Sequence, residues 1–85
     1  ITAISDISTP VATIRVDGVQ KATSSTTQGS GNFGNHVLNV GARNNGATLQ
    51  LDGHIYGMIV RAATSSSEEI SSTEAYMATK TGVTL

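Results

Sequence analysis

The 85-residue chain has no cysteine and no tryptophan, a single phenylalanine (Phe33), two tyrosines (Tyr56 and Tyr76) and one proline. Without cysteine no disulfide staples the fold, and the large rings that usually anchor a small sheet protein are scarce. A chain of this length buries only about 60–65% of the surface its unfolded form exposes, so the core is expected to be thin. Small domains compensate with staples, metals or assembly; with the first excluded and no ligand cluster for the second, assembly is the expected remedy. The chain begins on Ile1 rather than Met, which fits a segment of a longer polypeptide, so completion by residues outside these 85 is the other expectation.

Charge is equally sparse. Only 13% of residues are charged and the net charge is −1, so no basic stripe is available to follow phosphates and nucleic acid is not an expected partner. The longest apolar run, within His54–Ala63, is far shorter than the roughly 20 residues needed to cross a bilayer, so no membrane insertion is expected. The first residues show no basic region followed by an apolar segment.

What the chain does have is Thr, Ser, Gly, Asn and Val, punctuated by turn signals. The stretch Ile1–Thr9 is rich in β-branched residues and reads as a strand, and Pro10 falls where a strand starts or runs along an edge. In "ATIRVDGVQKA", Asp17-Gly18 supplies the two positive-φ positions of a type I′ hairpin. Its register sets Val16 opposite Val19 and Ile14 opposite Lys21, an apolar face, with Thr13, Arg15 and Gln20 on a solvated one. Residues 23–35, "TSSTTQGSGNFGN", read as a loop. Three further strands are expected, in "HVLNVGA" (36–42), "TLQLDG" (48–53) and "HIYGMIVRA" (54–62), with Asn45-Gly46 as a second hairpin signal. The last of these carries apolar residues on both faces, the pattern of a central strand between two layers.

The period then changes. In "SSEEISSTEAYMATKTG", Ile70, Thr73, Met77 and Lys80 recur at spacings of three, four and three, with Tyr76 on the flank, and predict a helix over about 67–81. Ser66 with Glu69, or Ser71 with Glu74, can form a capping box; Lys80 lies in the last turn and Gly82 just past it, where a left-handed residue closes a helix. The expected packing tucks Ile70, Tyr76 and Met77 beneath the helix against the sheets.

The succession "TIRVDGVQ", "LNVGARNNG", "LDGHIYGMIVRAA" and the closing "TEAYMATKTGV" resembles the concanavalin A-like jelly rolls, specifically the laminin-G-like group, over most of Ala12–Leu85. The tail, with its Glu-aromatic pair and final Lys-Thr-Gly-Val, resembles the closing segment of laminin-G-like domains in bacteriophage and prophage virion proteins. The resemblance implies an all-β fold: a partial antiparallel jelly-roll β-sandwich with one C-terminal helix, either a single domain of 85 residues or the C-terminal part of a larger sandwich. The family's domain is about twice this length, so its first strands would lie elsewhere or be supplied by neighbouring subunits. The function implied is a non-enzymatic structural or adhesive module of a virion, as capsid decoration, head fibre or tail fibre, contacting other virion subunits, its own copies and a host glycan. The alternative is a secreted, extracellular carbohydrate-binding module.

Four residues are the candidates for a ligand site. Asn44 and Asn45, with Asn35 and the ring of Phe33, would offer amides and an aromatic face to a sugar, although a loop phenylalanine is more often an anchor tucked into the core. Asp17 and Asp52 precede glycines in turns, where aspartate is expected anyway. His36 and His54 lack ligand spacing, so no metal or other cofactor is expected. Glu68, Glu69 and Glu74 invite comparison with glycosidase carboxylate pairs, but capping and dipole effects account for them on a helix and no catalytic residue is assigned.

Overall fold

The computed structural model describes residues 1–31, 34 and 36–85. Three strands, β1 (Thr2–Asp6), β2 (Val11–Val16) and β3 (Val19–Ser24), form an antiparallel sheet in the order β1-β2-β3, and one helix, α1 (Ser67–Thr81), follows near the carboxyl end. The predicted loop Asn32, Phe33 and Asn35 lie outside the described residues.

The hairpin forms for the reason read from its turn. Asp17 (φ 49°) and Gly18 (φ 75°) both occupy the left-handed region, as a type I′ turn demands, and Val16 faces Val19. Its register departs from the expected one further on. Arg15 faces Gln20 and Ile14 faces Ala22, with a shift between them, so Lys21 is the extra residue of a β-bulge and does not oppose Ile14. At the other side of β2, Asp6 ends β1 and its carboxylate accepts from the backbone of Ser8 (2.9 Å) and the hydroxyl of Ser8 (2.7 Å). That Asx-type turn reverses the chain into β2, which starts directly after Pro10.

The sheet has two unequal faces. Thr2, Ile4 and Asp6 of β1 are half-buried and alternate with exposed Ala3 and Ser5. Thr2 and Ile4 pair with Arg15 and Thr13, whereas Ala3 and Ser5 pair with Ile14 and Ala12. The expectation that Arg15 lies on the solvated side is therefore corrected: Arg15 is half-buried, and Ile14 is the exposed residue, at 41%. A carboxylate on the helix, described below, draws the guanidinium side inward.

The helix spans the predicted residues and is closed at both ends. Ser66 accepts from the backbone N–H of Glu69 while the Glu69 carboxylate accepts from the backbone N–H of Ser66, a complete capping box. Gly82 takes the left-handed conformation (φ 74°, ψ 13°) and donates its N–H to Ala78 O at 2.8 Å. Ser71, Thr79 and Thr81 turn their hydroxyls back onto carbonyls four residues earlier, which keeps polar residues compatible with a helical interior. The inner face differs from the expected stripe. It consists of Ile70, Glu74, Met77, Ala78 and Thr81, whereas Thr73 and Lys80 are exposed. Tyr76, expected beneath the helix, is exposed, and the Lys80 ammonium lies 5.5 Å from its ring centroid.

Between β3 and α1 the three further strands of a jelly roll do not form ladders among the described residues. What joins the 36–42 and 48–53 segments is an isolated bridge, Arg43 with Thr48, and a bond from the Leu51 N–H to the Gly41 carbonyl at 2.7 Å. Two physical reasons are visible. Leu49 has φ 50°, a left-handed leucine that breaks extension inside the 48–53 segment. The 54–62 segment, expected to be covered on both faces, has Ile55, Tyr56, Met58, Ile59 and Val60 exposed, and a strand without a neighbour has neither ladder nor packing to hold it. The observed architecture is thus one three-stranded antiparallel sheet with a C-terminal helix.

The caps generate a stability test. Ser66→Ala should destabilise the chain by about 1 kcal/mol, and Gly82→Ala, which forces a Cβ into the left-handed region, by about 1–2 kcal/mol. Urea titrations followed at 222 nm read both; an unchanged midpoint for either variant would remove that cap from the account.

Candidate functional site

The polar centre of the molecule sits where the first strands meet the helix. Arg15, on β2, donates from Nε to Glu74 Oε1 at 2.8 Å and from Nη2 to Glu74 Oε2 at 3.1 Å. The same Nη2 donates to the carbonyl of Gly18 at 2.6 Å. One guanidinium therefore bridges the helix to the turn of its own hairpin, in the bidentate geometry that suits a planar fork and a carboxylate. Glu74 is the most enclosed side chain among the described residues, with 9% of its surface exposed. Its carboxyl is held below the usual carboxylate range, first by the Arg15 hydrogen bonds and further by one from Thr2, against burial, which raises it. The Arg15 guanidinium is pushed up in turn by its bonds to Glu74. Leu85 covers the open side of this turn, with Cδ2 3.7 Å from the position a Cβ on Gly18 would take.

A second, exposed pair holds the segment leading into the helix. Arg61 Nη2 donates to Glu69 Oε1 at 2.9 Å and Nη1 to Ser65 Oγ at 3.1 Å. The Glu69 carboxyl is lowered, chiefly by the Arg61 bond and then by the Ser66 backbone N–H. Each of these two glutamates is thus engaged by a cation and by capping or packing, and neither is disposed as a free acid or base toward an open cleft.

Of the four residues assigned to a ligand site, Phe33 and Asn35 lie outside the described residues. Asn44 and Asn45 sit together in the turn enclosed by the Arg43–Thr48 bridge, both with positive φ, 50° and 53°. This is the place foreseen for an Asn-Gly turn, but the Asn44 amide is turned inward, donating to Thr48 Oγ1 at 3.3 Å, and the Gln50 amide donates to Gly46 O at 2.8 Å. Asparagine tolerates the left-handed region and bonds to its own turn, which accounts for both. His54 stacks on Tyr56 with ring centroids 6.1 Å apart. Among the described residues no three of His, Asp and Glu gather as a metal would need.

A shallow groove of about 410 Å³ runs over the uncovered sheet face, lined among others by Ala3, Ala12, Ile14, Ala22 and Gln28. A further feature of the surface is apolar. Val37, Leu38, Val40, Leu49, Leu51, Ile55, Tyr56, Met58, Ile59 and Val60 are all exposed, and among the described residues no hydrophobic residue is buried. The sequence reading missed the Arg15–Glu74 tie. Its signal was a charged residue at the spacing of the helix's inner face, four after Ile70 and three before Met77, where the pattern was read through Thr73 instead.

No known protein family, curated protein or solved structure matches the chain.

The lowered Glu74 carboxyl fixes the direction of a pH effect. A carboxylate whose folded pKa is depressed contributes stability that is complete above its unfolded value, about 4.3, and is lost as pH falls through the lower folded value. Acid titration of helix content from pH 6 to 2 should therefore show a loss below about pH 4 that Glu74→Gln reduces, leaving the part due to Asp6 and Glu69, whose carboxyls are lowered too. An acid limb identical in wild type and Glu74→Gln would show that the Arg15 pair does not hold the helix.

Proposed function

We infer that the chain is a non-enzymatic structural or adhesive module that acts by contact with other subunits of an assembly. The observation that carries this reading is the surface it leaves open. The chain exposes 6864 Å², where a folded monomer of its mass exposes about 4,700 Å². Its radius of gyration is 14.4 Å, against about 12 Å for a compact chain of this length. Surface of this extent and apolar character is the mark of an interaction region. Arg15, Glu74, Arg61 and Glu69, the groups with most chemistry to offer, are committed to holding the helix, which favours a scaffold over a catalyst.

The finer reading, a component of a phage virion such as capsid decoration, head fibre or tail fibre, with a jelly-roll sandwich completed by further strands, rests on the resemblance of the closing segment "GHIYGMIVRAATSSSEEISSTEAYMATKTGV". The partners are then other virion subunits, with further copies of the chain among them, and a host glycan is a secondary ligand through the Asn44–Asn45 turn. Co-sedimentation with purified phage capsids and tails, in parallel with a glycan array, separates this reading from that of an extracellular carbohydrate-binding module. Retention on virion particles unaffected by free sugars is the result expected. Sugar binding that disappears in Phe33→Ala or Asn45→Ala, with no retention on particles, would overturn it.

A further inference from the structure

We propose that a second copy of this chain is the partner that covers the apolar segment before the helix, and that Ile55–Val60 of one copy adds as a strand to the open edge of β3 of the other, reciprocally. This rests on the reading of the chain as an assembly module and names the partner and the contact.

Four observations carry it. First, Ile55–Val60 is composed as a strand flanked on both sides, with Ile55, Tyr56, Met58, Ile59 and Val60 all exposed. Backbone of this kind gains most from a neighbouring ladder, because pairing satisfies its polar groups and packs both faces at once. Second, β3 offers an edge. All six of its residues are exposed, and among the described residues no backbone hydrogen bond reaches its outer side. The opposite edge, on β1, is partly occupied: Gln28 accepts from the Ser5 hydroxyl and donates to the Asp6 carbonyl.

Third, the segment is fastened within its own copy to the helix and its approach. A Cβ on Gly57 would stand 3.0 Å from Met77 Cε, and Arg61 is tied to Glu69 and Ser65. The segment is thus presented with one side anchored, leaving the other for a neighbour. Fourth, the areas agree. The excess of exposed surface over a folded monomer is about 2,100 Å², and obligate subunit interfaces take about 1,000–2,500 Å² from each partner. A reciprocal contact of two identical surfaces closes after two copies, as a two-fold dimer requires.

The lack of native cysteine makes the contact directly testable in the full chain. Copies carrying Lys21→Cys, at the β3 bulge, are mixed with copies carrying one cysteine in place of each residue from Ile55 to Val60 in turn, and oxidised at about 20 µM. Neighbouring strands bring Cα atoms within disulfide range, and successive side chains alternate in direction. Mixed disulfide dimers should therefore form with yields that rise and fall every second position, while copies carrying Thr73→Cys, on the exposed helix face, give none. Sedimentation of the wild type should show a dimer, and Ile59→Asp, with its helix content intact, should sediment as a monomer. A monomeric wild type at this concentration overturns the proposal. A dimer that gives no alternating cross-links overturns the β3 contact while leaving self-association standing. Loss of particle binding in a chain that still dimerises would count against the virion reading alone.

Discussion

Among the described residues the ion pair that joins the sheet to the helix is Arg15 with Glu74. Arg15 takes the Glu74 carboxylate with Nε and Nη2, and the same Nη2 donates to the Gly18 carbonyl. The tight turn fixes where the guanidinium stands, and the caps at Ser66 and Gly82 fix the helix that carries the carboxylate. An enclosed carboxylate without its cation is costly, so removal of Arg15 would leave Glu74 as an uncompensated charge. Lysine at position 15 would keep the charge and lose the fork, and with it the simultaneous hold on helix and turn.

A polar clasp in place of a core leaves most of the apolar surface of the described residues exposed. Ile70 and Met77 on the helix are half-covered, and the aliphatic residues from Val37 to Val60 are in the open. Hydrophobic surface is the dominant favourable term in folding when it is removed from water. Among the described residues that term is largely unspent, with Tyr56 and Tyr76 both exposed. The proposed association between copies would give this surface a partner, and Ile55–Val60 is the stretch of the exposed run composed to pair with another strand.

The features legible in the sequence were those set by chemistry local to a few residues. Asp17-Gly18 specified its turn, Ser66 and Glu69 their capping box, Gly82 the helix end, and the β-branched residues of Thr2–Asp6 a strand. What escaped depended on contacts distant in sequence or on one irregular residue. The bulge at Lys21 displaced the expected register by one, and Leu49 in the left-handed region interrupted an alternation that read as a strand. Arg15 and Glu74 are 59 positions apart, so neither residue's local pattern announces the other. The Asn44–Asn45 turn was located correctly as a turn, but the inward bond of Asn44 became apparent only from its geometry. The strands expected in 36–62 were inferred from hydrophobic pattern, which reports what a segment is able to pair with and not whether a partner lies within the same chain.

If the monomer is held by a polar clasp and completed by burial between copies, the order of its helix depends on concentration. Amide hydrogen exchange across Ser67–Thr81, measured from low to high micromolar protein, tests this most directly. Protection that rises with concentration, together with slowed exchange in Val19–Ser24, is the result the account requires. Protection of the helix that is strong and independent of concentration would mean that the isolated chain is self-sufficient, and would contradict it.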